Sequence, residues 1–143
     1  MLRTALVSGL AFLCAAPALG GDNTTPIDAA LVGTNWAFDC SKAADATNYR
    51  LTYKFGTNGV LVEAMQSAPG ADKVRELRNV QPISDGWLLY TMTDEDKEAV
   101  NILTRFKGDQ KKSWWSVGKD GTNYILAGKF PDGGEPPWFN KCK

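Results

Sequence analysis

The chain has 143 residues, with 16 Lys and Arg against 16 Asp and Glu, and no histidine. A balance of zero gives no electrostatic case for nucleic acid or for anionic lipid, which need a clustered basic face. The lack of histidine removes Ser-His-Asp and Cys-His nucleophilic arrangements and the commonest transition-metal ligand.

The N-terminus carries one charge, Arg3, followed by an unbroken run of apolar or small residues from Ala5 to Ala16. With Ala18-Leu19-Gly20 behind it, this is the pattern of a secretory signal. Cleavage is expected after Gly20, with a cut after Ala18 as the alternative. The run is shorter than the roughly 20 apolar residues of a membrane span, so no integral membrane segment is expected after cleavage. Residues 1–20 are therefore read as signal peptide, and Cys14 leaves with them. Removing 20 of the 143 residues leaves residues 21–143, the length of one domain. Cys40 and Cys142 remain, and an even count in an oxidising compartment predicts a disulfide between them.

Taken in order, the mature chain opens with a helical turn at Pro26–Leu31, capped by Thr25. It then alternates in the manner of half-buried strands. Trp36–Cys40 is a first short run. Tyr49–Phe55 alternates strictly, and Asn58-Gly59 is a hairpin signal leading into Val60–Met65. Val74–Val80, Trp87–Thr93, Val100–Lys107, Ser113–Val117 and Asn123–Phe130 follow. Pro69-Gly70, Asp85-Gly86, Gly108-Asp109 and Asp120-Gly121 punctuate them. About eight strands at regular spacing predict an all-β fold, an antiparallel up-and-down meander. Closure into a small barrel removes both sheet edges; a two-sheet sandwich is the alternative. A meander would gather the tight turns at 58–59, 85–86 and 108–109 at one end and the longer loops at the other. The tail after Phe130 contains Pro136 and Pro137, which cannot donate ladder hydrogen bonds. It is expected to return as an outer strap, tethered by Cys142 and pinned by Trp138 and Phe139.

Five tryptophans are many for this length. Trp36, Tyr53, Trp87, Phe106 and Trp115 are candidates to line a ligand cavity, or to fill the barrel as core. Trp114 and Trp115 are adjacent, so in a regular strand they face opposite ways, and Trp114 is expected under the strap. Asp94–Glu98 is acidic enough to suggest calcium, but the EF-hand spacing fails. Ala99 stands where a glycine is needed and Arg105 where the bidentate Glu belongs. A solvated turn is the preferred reading, with no metal and no cofactor. Arg105, Lys107, Lys111 and Lys112 read as solvated charges around a hairpin tip, or as a site for an anionic partner.

Pro26 to Trp36, with Gly33 three positions before Trp36, resembles the start of a lipocalin-type barrel. That resemblance implies that Trp36 plugs the closed end. Trp36…Cys40, Ser113-Trp114-Trp115-Ser116…Asp120-Gly121 and Pro137-Trp138…Cys142 are similar to segments of small secreted or periplasmic bacterial proteins. That likeness implies export and a disulfide, and no activity.

The expected function is a non-enzymatic, monomeric binding or structural protein of the cell envelope, secreted or periplasmic. Its partner is a small apolar ligand or an envelope protein. One alternative is an inhibitor of a lysozyme or protease, with residues 21–30 as its arm. The other is a small carboxylate-dependent enzyme.

Overall fold

The computed structural model describes residues 31–93 and 99–143. The expected signal segment, the expected helical turn before Leu31 and the acidic run 94–98 lie outside the described residues. The fold is an antiparallel β barrel. Its strands are β1 (Asn35–Ala37), β2 (Arg50–Phe55), β3 (Leu61–Gln66), β4 (Asp72–Ser84), β5 (Trp87–Thr93), β6 (Ala99–Lys107), β7 (Gln110–Gly118), β8 (Asn123–Ile125) and β9 (Phe139–Cys142).

Turn chemistry sets the registers of the first hairpins. Gly59 adopts φ 73°, and Phe55 pairs with Leu61 across the turn. Asp85-Gly86 joins Ser84 to Trp87, and Gly108-Asp109 joins Lys107 to Gln110. Both are two-residue connections, in which glycine supplies the positive φ. β4 runs past the expected Val80 as far as Ser84, with two register shifts and Asn79 at φ 53°. Pro82 is tolerated there because the β3 ladder stops at Leu77, leaving that edge of β4 unpaired.

The ring runs β1-β2-β3-β4-β5-β6-β7-β9 and back to β1, eight staves in all, with β8 attached to β7 alone. Two expectations are corrected here. Asn123–Phe130 does not supply the eighth stave: it is strand only through Ile125. Ala127 (φ 50°) and Gly128 (φ 76°) then reverse the chain between Leu126 and Lys129. The tail is also more than an outer strap. It crosses the outside of β7, but Phe139–Cys142 then enters the sheet between β1 and β7. Pro136 and Pro137 precede this segment, so every residue of β9 has its N–H, and the edges of β1 and β7 are there to accept it. Cys40 and Cys142 are bonded, with Cα atoms 5.4 Å apart, so the disulfide holds a stave of the barrel in place.

The core is formed by Leu31, Trp36, Leu51, Tyr53, Leu61, Leu77, Leu88, Tyr90 and Ile102. Outside β7 the side chains form an alternating stack. The Arg105 guanidinium lies 5.3 Å from the Trp87 ring and 5.5 Å from the Trp114 ring. Lys112 lies 5.5 Å from Trp114 and 5.1 Å from Trp138, and bonds Glu135 at 3.2 Å. Gly128 covers Trp114, donating to its carbonyl at 2.7 Å. A Cβ on Gly128 would stand 3.0 Å from the indole ring. Gly128→Ala combines that overlap with an unfavourable φ, and is expected to lower the unfolding free energy by about 2 kcal/mol. Urea denaturation followed by tryptophan fluorescence measures it.

Candidate functional site

Alternation decides what enters the barrel. Leu51 and Tyr53 are buried on the inner face of β2. Tyr53 pairs with Glu63 across the ladder, and Glu63 with Arg75. Residues directly opposite one another share a face of the sheet, so a carboxylate and a guanidinium follow the phenol inward. On the far side of the ring, Phe106 packs against the core and pairs with Lys111, which brings an ammonium group in as well.

These side chains meet. The Tyr53 hydroxyl donates to Glu63 Oε2 at 2.5 Å and accepts from Lys111 Nζ. Arg75 Nη1 donates to Glu63 Oε1 at 3.3 Å. The Lys111 ammonium also lies 4.2 Å from the Tyr53 ring centre and 5.2 Å from that of Trp36. The hydroxyls of Tyr90 and Thr104 pair at 3.2 Å. Glu63 is 4% exposed and Lys111 5%, uncommon figures for charged residues unless they are partnered.

Burial dominates the electrostatics. It pushes the Lys111 ammonium down to about 8, with Glu63 pulling partly back. It pushes the Tyr53 phenol well up, reinforced by Glu63 and Tyr90. Tyr90 is raised by burial and then by Glu63. A lysine depressed this far can supply a neutral amine in mildly alkaline solution.

A cavity of about 100 Å³ adjoins the cluster, lined by Tyr49, Leu51, Arg75, Met92, Ile102, Lys111 and Phe139 among others. Phe38, Tyr49 and Phe139 form an aromatic trio beside it, with ring centres 4.2 to 5.3 Å apart. A second hollow of about 380 Å³ lies among the tight turns. Leu31, Trp36, Trp87, Leu88 and Phe106 line it together with the Asp85-Gly86 and Gly108-Asp109 turns.

Of the aromatic residues singled out from the sequence, Trp36, Trp87 and Phe106 meet at the basin, and Tyr53 lines the inner cavity. Trp115 does neither. It pairs with Leu103, whose neighbours Ile102 and Thr104 are buried inside, so it stands on the outer face. Trp114 stands outside as expected, but on the same face as its neighbour Trp115 rather than opposite it. The register shift at Leu103/Thr104 makes it an extra bulge residue, and it packs against Trp87 with ring centres 5.6 Å apart. Trp138 reaches Lys112 on the outside, whereas Phe139 lines the inner cavity.

The basic cluster is also corrected: Lys111 and Lys112 are each 5% exposed rather than solvated. One enters the barrel, and the other lies between Trp114 and Trp138 on the outside. Glu63 and Arg75 went unnoticed in the sequence. The register provides the signal that finds them and Lys111: a two-residue turn at 108–109 forces Phe106 opposite Lys111. Among the described residues, no three His, Cys, Asp or Glu side chains come together as a metal site. Comparisons with protein-family models, curated proteins and solved structures return no match to this chain.

Proposed function

We propose that the chain is an exported, non-enzymatic binding protein whose ligand site is the cavity inside the barrel. The reading rests on one observation: a carboxylate and two cationic side chains surround unfilled space at the centre of an eight-stranded barrel. A barrel of this size ordinarily has an interior just wide enough for its own side chains to fill. The signal pattern at residues 1–20 supports export, and the disulfide fits an oxidising compartment. A non-enzymatic role is supported by the engagement of Glu63: one oxygen accepts from Tyr53 and the other from Arg75.

Native mass spectrometry of protein purified from its own compartment tests the reading. The expected spectrum contains a chain beginning at Gly21 with one small molecule bound. A chain that is ligand-free throughout, or that carries a stoichiometric hydrolase instead, would overturn it.

A further inference from the structure

The ion balance of the cavity is uneven. Among the described residues that line it, Glu63 is the one acidic residue, against Arg75, Lys111 and Lys112, the last with its ammonium group on the outside between Trp114 and Trp138. The Lys112 ammonium is bonded to Glu135. Glu63 therefore faces two cations, and one positive charge is left without a counter-ion.

The donors are uneven too. Lys111 Nζ has three hydrogens to donate and meets one protein oxygen, the Tyr53 hydroxyl. Arg75 reaches Glu63 through Nη1, but among the described residues Nη2 meets only the Met65 sulfur at 3.6 Å, a weak acceptor. The Lys111 ammonium is buried, and a buried donor is expensive to leave unfilled; the Arg75 side chain is partly exposed, at 22%. The remaining walls mix apolar side chains, Leu51, Ile102 and Met92 among them, with the hydroxyl-bearing Tyr90, Thr104 and Ser113.

We propose that the cavity takes the carboxylate of an organic monoacid, held by Lys111 and Arg75, with the acid's carbon chain leaving past Tyr49, Met92 and Phe139. This rests on the reading that the inner cavity is the ligand site. One negative charge balances the surplus, and a planar carboxylate suits a guanidinium edge. Size sets the division of the ligand: a cavity of about 150 Å³ accommodates benzene, so this one holds the head group and the first few carbons. The aromatic trio lies where the chain would leave.

Mature protein, unfolded and refolded to remove bound molecules, can be titrated calorimetrically with octanoate and octanol at constant chloride. Octanoate is expected to bind about tenfold or more tightly than octanol. Lys111→Met should reduce octanoate to the level of octanol, and Arg75→Met should weaken it in the same direction. Equal binding of acid and alcohol overturns the carboxylate assignment but leaves the cavity as a binding site. Undiminished octanoate affinity in both variants also overturns the assignment. Displacement of octanoate by chloride alone would make the site one for simple inorganic anions and likewise overturn it. Absence of binding by either probe removes the assignment, while a different small molecule in the native mass spectrum would still sustain the broader reading.

Discussion

Glu63→Gln is expected to lower the unfolding free energy of the ligand-free protein by about 3 kcal/mol, because it leaves buried Lys111 and partly buried Arg75 without their carboxylate. Lys111→Met, in the same cluster, is expected to do the opposite. It removes an ammonium group that burial has pushed down from 10.5 to about 8, a burden of about 3 kcal/mol at neutral pH. Loss of the hydrogen bond to Tyr53 takes back about 1 kcal/mol, leaving a gain of about 2 kcal/mol. The pH dependence follows from the same shift. Between about 8 and 10.5 the unfolded chain holds more protons at this lysine than the folded one, so stability rises with pH over that window. Tyr53 and Tyr90 act in the other direction, because their phenols are raised and stay protonated when folded while the unfolded phenols ionise near 10. Stability should therefore peak near pH 9–10. Lys111→Met should flatten the rise and keep the fall above pH 10. Denaturant midpoints measured by tryptophan fluorescence at pH 7 to 11 test this; a wild-type maximum below pH 8 would contradict it.

Replacing both Cys40 and Cys142 with serine is expected to cost about 4–5 kcal/mol, the chain-entropy value for a loop of about 100 residues. The observed separation is 102 residues. The loss should also be localised in its dynamics. β9 is four residues long, with three register pairs to β1 and two to β7. Without the bond, its amides should lose exchange protection before those of β2 to β5. Hydrogen exchange of Asn140 and Lys141 measures this against Leu51 and Tyr90. A loss below about 1 kcal/mol, with β9 still protected, would show that strand pairing alone holds the stave.

Most of the meander was legible because its turns carry their own chemistry. Asn58-Gly59, Asp85-Gly86 and Gly108-Asp109 each mark a reversal, and the apolar alternation between them fixes which face turns inward. β9 was not legible. It is too short to show a period, and the prolines before it argue against a ladder, although they end at Pro137, two positions before β9 begins at Phe139. The Cys40–Cys142 pairing was readable by count, but not its role in holding a barrel stave. The site was hidden for a different reason. Arg105, Lys107, Lys111 and Lys112 look alike as a cluster of positive charges, and only the register separates those that face the inside, the outside and solvent. Trp115, expected inside, was misplaced because a single bulge residue at Trp114, invisible in sequence, puts both tryptophans on the outer face.

Ring closure by β9 also has a kinetic consequence. Hairpins β2–β3 through β6–β7 can form from near neighbours, but the β1–β9 ladder joins segments about as far apart as the cysteines. Folding should be governed by that distant encounter and fall in the slow range of barrel-like topologies, milliseconds to seconds. Until it happens, β1 and the first half of β7 present unpaired edges, which are templates for pairing with other chains. The Cys40 thiol waits through the same interval, since its partner belongs to the last stave to arrive. Oxidation of the pair is therefore a marker of finished folding rather than a guide to it.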